Sequence, residues 1–127
     1  MEAQLVQEIG LLHEQVCHAL GDPTRLLIIY ALSKQQRYVS ELAAELDIPQ
    51  PTISRHLKIL RERALVSTTR EANAVYYTLT DERIIEALDL LRGILRDRVL
   101  RQAQLTQFHA LDNKRESMSG NEANGTE

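Results

Sequence analysis

Hydrophobic and polar positions divide the chain into helical blocks with one alternating stretch between them. Over residues 3–20, Leu5, Ile9, Leu12, Val16 and Ala19 recur at spacings of four, three, four and three, which predicts a helix with a narrow pairing seam. Gly21 ends it. Asp22-Pro23 then supplies a capping carboxylate followed by proline, a strong helix start. Residues 23–33 are apolar nearly all round and predict a central helix. After the polar loop 34–37, Tyr38-Val39 predicts a short strand. Ser40 is expected to cap a short helix that turns Leu42, Ala43 and Leu46 inward.

The next block carries the strongest contrast. From about Gln50 to Arg63, Ile53, Leu57, Leu60 and Ala64 form one helical stripe, and Ser54, Arg55 and Lys58 occupy the opposite side. Pro51 is tolerable because the helix has only begun. Leu65-Val66 begins a strand, residues 71–74 turn, and Val75 to Leu79 return in alternation, with Asn73 expected to take the positive φ of the turn. Thr80 is expected to cap a last helix, with Asp81 and Glu82 at its positive end. That helix carries a second heptad-like seam, Ile84, Leu88, Leu91, Leu95 and Val99. From Asp112 onward sixteen residues contain no Val, Ile, Leu, Phe or Tyr, which predicts a disordered polar tail over 112–127 after a folded domain over 1–111.

This order predicts a mainly α fold with a small β-hairpin, a winged helix-turn-helix. The two outer seams have no use in a small domain unless something covers them. They predict a homodimer through the first and last helices, the alternative being that both close a single monomeric core.

Composition narrows the class further. A chain of 127 residues with 43% apolar content makes one modest aliphatic core, without Trp and with one Phe. The longest apolar run, Leu26 to Leu32, is far short of the roughly 20 residues that cross a bilayer. No basic stretch followed by an apolar one opens the chain, so no signal peptide and no membrane partner are expected. The single cysteine, Cys17, fits a reducing cytoplasm. Net charge is −3, yet residues 50–70 hold five cations against the one acid Glu62, so that window is +4 and the remainder −7. Phosphate attraction follows the local field rather than the total. No glycine-rich phosphate loop, nucleophile elbow or HExxH occurs, and neither an enzyme nor a cofactor is expected.

Three segments together resemble the ArsR/SmtB-type bacterial repressors. Residues 19–26 (Ala-Leu-Gly-Asp-Pro-Thr-Arg-Leu) look like the entry to that family's second helix, residues 54–60 (Ser-Arg-His-Leu-Lys-Ile-Leu) like its recognition helix, and residues 75–79 (Val-Tyr-Tyr-Thr-Leu) like its second wing strand. The resemblance runs over roughly residues 10–100. It implies a homodimeric cytoplasmic transcription factor, usually a repressor released by a metal, metalloid or oxidant. Two departures stand out. The family's Cys-x-Cys pair on the third helix is replaced by residues 41–46 without sulfur, and its Asp-His-His-Glu set along the last helix finds no His between Asp81 and Arg101. Both usual metal sites are therefore missing, and the wing tip, Ala72-Asn73-Ala74, lacks the common Arg and Gly.

Double-stranded DNA is thus the expected partner. Gln50, Thr52, Ser54 and Arg55 are candidates for reading bases, since Gln pairs bidentately with adenine, Arg with guanine, and short hydroxyls with several edges. For Gln50 and Thr52 the alternative is simple helix-start chemistry. Lys58, Arg61 and Arg70 are expected at phosphates, where charge positions without specifying; Arg61 and Arg63 serve equally well as solvated surface. His56, beside the apolar stripe, either hydrogen-bonds in a half-buried position or touches DNA. Cys17 is the candidate sensor, with His13 one turn before it, as a redox thiol or as part of a non-standard metal site completed by a second subunit or His109. The alternative is a packed thiol in the dimer core. The effector is not identifiable. A different reading of the whole keeps the same fold but docks it on another protein.

Overall fold

In the computed structural model, residues 1–124 are described, with side chains described through residue 118. The order is α1 (Ala3–Leu12), continued by a wider π turn (His13–Cys17) and a last turn (His18–Leu20); α2 (Pro23–Lys34); α3 (Val39–Leu46); α4 (Gln50–Glu62); β1 (Val66–Glu71); β2 (Ala74–Leu79); and α5 (Arg83–Asn124). Met1–Ile85 forms one compact unit and residues from Glu86 onward a second.

The core of the first unit is aliphatic, as expected. Ile28 and Ile29 of α2, Leu42 of α3, and Ile53, Leu57 and Leu60 of α4 are completely buried, with Ala19 and Val66 beside them. Local chemistry explains most boundaries. The Asp22 carboxylate accepts from the backbone N–H groups of Thr24 (2.8 Å) and Arg25 (3.2 Å), with Pro23 opening α2. Asp47 takes a left-handed conformation after α3 and begins the turn into α4.

Several local expectations are corrected. Tyr38, not Ser40, precedes α3, and the Glu41 carboxylate reaches back to accept from the Tyr38 N–H at 3.1 Å. The expected short strand at Tyr38-Val39 is one bridge, Arg37 to Tyr77. Thr80 does not cap α5; its hydroxyl donates to the Ala64 carbonyl (2.7 Å), and Asp81 accepts from the Arg83 N–H (2.9 Å) instead. Ala64 does not extend the α4 stripe. The Leu65 N–H returns to the Leu60 carbonyl and the Ala64 N–H to that of Arg61, closing the helix at Glu62. Ala64 is left-handed there, with φ 58°.

The hairpin pairs Val66 with Leu79 through Glu71 with Ala74, leaving Ala72 and Asn73 as a two-residue turn. Ala72, not Asn73, takes the positive φ (54°). Where the sequence predicts a polar tail from Asp112, α5 continues to Asn124. This stretch supplies Lys114, Arg115, Glu116 and Met118, good helix formers, so a polar surface does not forbid a helix there. Residues 125–127 of that expected tail lie outside the described residues.

Most seam residues of the outer helices are exposed: Leu5, Ile9 and Leu12 on α1, and Leu91, Leu95 and Val99 on α5, with Val16 and Ile84 half-buried and Ala19 and Leu88 buried.

Candidate nucleic-acid interface

The candidate surface is built by α4. Its buried stripe of Ile53, Leu57 and Leu60 fixes which way the helix is turned. Gln50, Ser54, Arg55, Lys58 and Arg61 are consequently exposed, and Thr52 is half-buried. The first turn contains no acid, so nothing there opposes an approaching phosphate. Arg55 Nη2 lies 3.4 Å from Thr52 Oγ1, a weak contact that holds the guanidinium over the start of the helix. Lys58 and Arg61 continue the cationic face. Arg70 is exposed on β1 near the hairpin tip, opposite Val75. Arg63 is half-buried and lines a shallow hollow with His13, Glu14 and His18.

His56 stands apart from that face. Its side chain is 17% exposed, and its Nδ1 lies 3.2 Å from Arg25 Nη1 and 4.0 Å from Asp22 Oδ1. Arg25 is a buried charged residue of the core; its Nε donates to the Ala19 carbonyl (2.6 Å) and its Nη2 to that of His18 (3.3 Å). Burial pushes the Asp22 carboxyl up, but the backbone N–H groups of Arg25 and Thr24, with the nearby positive charge of Arg25, outweigh it, leaving Asp22 below the usual carboxylate value.

The wing is tied to the helix pair by two tyrosines. The Tyr38 and Tyr76 hydroxyls share a hydrogen bond, with ring centroids 4.0 Å apart. That hydrogen bond, with burial and nearby negative charge, pushes Tyr76 up to about 12. Arg37 adds a 3.0 Å ion pair to Glu45, and its backbone pairs with Tyr77. Neither Arg25 nor this tyrosine pair is a candidate on sequence pattern alone. The available signal for Arg25 is a guanidinium inside a helix otherwise apolar all round.

Cys17 is an exposed free thiol inside the π turn. Among the described residues, no cluster of three or more His, Cys, Asp or Glu side chains is arranged to hold a metal ion. No helix among them is long and apolar enough to cross a membrane.

Two packed helices, the second displaying a cationic face, followed by a two-stranded hairpin, define a winged helix-turn-helix transcriptional regulator. Comparison with known proteins gives the family. The sequence model of the bacterial regulatory protein arsR family matches residues 22–68. The biofilm growth-associated repressor of Agrobacterium fabrum is 40% identical over 84 residues, 64% of this chain and 68% of that protein. The crystal structure of NolR from Sinorhizobium fredii superposes with a TM-score of 0.66 at 31% identity, covering 74% of this chain and 93% of NolR. A homodimeric winged helix-turn-helix DNA-binding domain from Mycobacterium bovis gives the same TM-score at 22% identity, covering 78% of this chain and 91% of that domain, a likeness of fold. The chain belongs to the ArsR family of bacterial regulatory proteins.

Proposed function

We propose that the protein is a homodimeric repressor that binds an imperfect palindrome, with α4 of each subunit in successive major grooves about 34–36 Å apart. Gln50, Thr52, Ser54 and Arg55 read base edges. Lys58, Arg61 and Arg70 neutralise phosphates, and the hairpin lies along the backbone as a wing. One observation carries this reading: the apolar stripe of α4 is fully spent inside the subunit, so its cationic side is held outward. The exposed seams of α1 and α5 supply the dimer surface that a two-fold operator requires.

Electrophoretic mobility of the protein with random-sequence duplexes tests it. Retardation should weaken linearly with the logarithm of salt concentration. Absence of retardation at low ionic strength would defeat the reading and favour docking on another protein.

A second reading concerns the input. The exposure of Cys17 favours release of DNA by thiol oxidation. Two Cys17 thiols from paired subunits would give one disulfide while hydrogen peroxide is reduced to two waters. Peroxide titration of wild type and Cys17→Ser distinguishes it: equal DNA affinity in both throughout removes the idea.

A further inference from the structure

Arg25 is buried at 9% exposure, yet among the described residues its guanidinium hydrogen-bonds to no carboxylate. It spends its N–H groups on two carbonyls at the end of the first helical stretch and on one imidazole nitrogen of the recognition helix α4. We propose that Arg25 and His56 are positioning residues for DNA reading, a clamp that fixes α4 against the last turn of the first helix through the Nδ1 lone pair of His56. This rests on the DNA-reading function proposed above.

The chemistry sets the direction of the bond. A guanidinium in a protein is always charged and only donates. Its Nη1–H, 3.2 Å from His56 Nδ1, therefore requires that nitrogen to be a bare acceptor, with the ring proton on Nε2. Asp22 offers the competing arrangement, an ion pair with a protonated His56, but at 4.0 Å it is outside hydrogen-bond reach and its Oδ1 already serves two backbone N–H groups. The two arrangements exclude each other, and the shorter one prevails.

The clamp has a consequence for the reading face. His56 lies between Arg55 and Lys58 in sequence, with Ser54 and Arg55 exposed immediately before it. Hydrogen bonds to base edges weaken steeply with small losses of distance and angle, so holding the first two turns of α4 rigid sharpens recognition without a contact to DNA. The other end of the clamp, the His18 and Ala19 carbonyls, belongs to the helical stretch that carries the seam Leu5, Ile9 and Leu12. A shift of that stretch would reach α4 through one side chain. A lysine at position 25 could not span all three acceptors, because its donors sit on one nitrogen.

The test uses wild type, His56→Asn, His56→Leu and Arg25→Lys with a duplex selected by the wild-type protein from a random library. The Asn amide oxygen sits about where Nδ1 does, so His56→Asn should keep affinity within about threefold, whereas His56→Leu should lose about tenfold or more. The slope of log affinity against log salt should stay unchanged in both, since no phosphate contact is removed. Nitrogen-15 spectra of the wild-type protein should show His56 protonated at Nε2. The proposal is overturned if the salt slope falls by about one unit in either variant, which marks a direct phosphate contact. It is equally overturned if His56→Asn binds as poorly as His56→Leu, if His56→Leu binds like wild type, or if the proton sits on Nδ1. Should the Leu or Lys variant fail to fold, His56→Asn and the wild-type spectra still decide. Failure of the wild-type protein to bind any duplex would instead defeat the function on which the clamp depends.

Discussion

Helices α4 and α5 are both amphipathic by sequence, and their apolar stripes meet opposite fates. On α4, Ile53, Leu57 and Leu60 have no exposed surface at all. On α5, Leu91, Leu95 and Val99 are each 60% exposed. The first stripe is completed inside the subunit, so the information on α4 lies in its polar side. The second stripe is uncompleted, so the information on α5 lies in its apolar side. An aliphatic surface of that kind costs about 25 cal/mol per Å² while it faces water, and the dimer proposed above would cover it.

The strongest way to break this contrast is to make the α5 stripe polar. Leu91→Glu leaves the interior of the subunit untouched because the residue is already exposed. We expect a monomer by analytical ultracentrifugation, a melting temperature that no longer rises with protein concentration, and DNA binding weakened about a hundredfold or more as bivalent engagement is lost. A variant that binds DNA as tightly as wild type would show that the exposed seam is not used in pairing.

On α4 the corresponding change is to its outer face. Arg55→Ala should cost about 1–3 kcal/mol on the preferred duplex and relax preference at one base position. Lys58→Ala should weaken all duplexes alike and lower the salt slope by about one unit. Selection from random libraries separates the two. Equal behaviour of the two variants would mean that α4 contributes field but no readout.

What could be read from sequence follows how local each cause is. The Asp22 cap was legible because carboxylate, proline and the N–H groups it serves lie within four residues. The stripe of Ile53, Leu57 and Leu60 was legible because burial repeats with the helix period. The exposed cations of α4 follow from that stripe by geometry. The Arg25–His56 contact spans 31 residues and has no periodic signature. Tyr38–Tyr76 spans 38 and required the wing to fold back onto the start of α3. The boundary errors have a different cause. Residue preference places the positive φ of the turn on Asn73, yet the structure has it at Ala72, and again at Ala64, where hydrogen bonds of the helix end over-determine the backbone.

That observation yields a smaller prediction at the end of α4. Ala64 closes the helix in a conformation that costs an L-residue about 1–2 kcal/mol, part of which glycine would return as lost chain entropy. Ala64→Gly should therefore stabilise the protein by about 0.5–1 kcal/mol in urea denaturation, with affinity for DNA unchanged. A loss of stability would mean that the alanine methyl makes a compensating contact.

The start of α5 provides the counterpart, and its effect is the smallest. Asp81 accepts from the Arg83 N–H at 2.9 Å and from its guanidinium at 2.6 Å, and the Arg83 side chain, then its backbone N–H, hold the carboxyl down at about 2. The unfolded chain has the ordinary carboxylate value near 3.9. A group depressed in the folded state binds fewer protons there than in the unfolded chain. Its stabilisation is therefore complete above about pH 4 and disappears as pH falls through about 2. Both side chains are solvent-exposed, so salt should shrink the effect. Comparing wild type with Asp81→Asn across pH 2–5 in denaturant isolates this contribution: the two stability curves should diverge as pH rises from 2 to 4 and run parallel above it. Parallel curves throughout would place the start of α5 under the control of backbone hydrogen bonds alone, and would make the long helix independent of its capping charge.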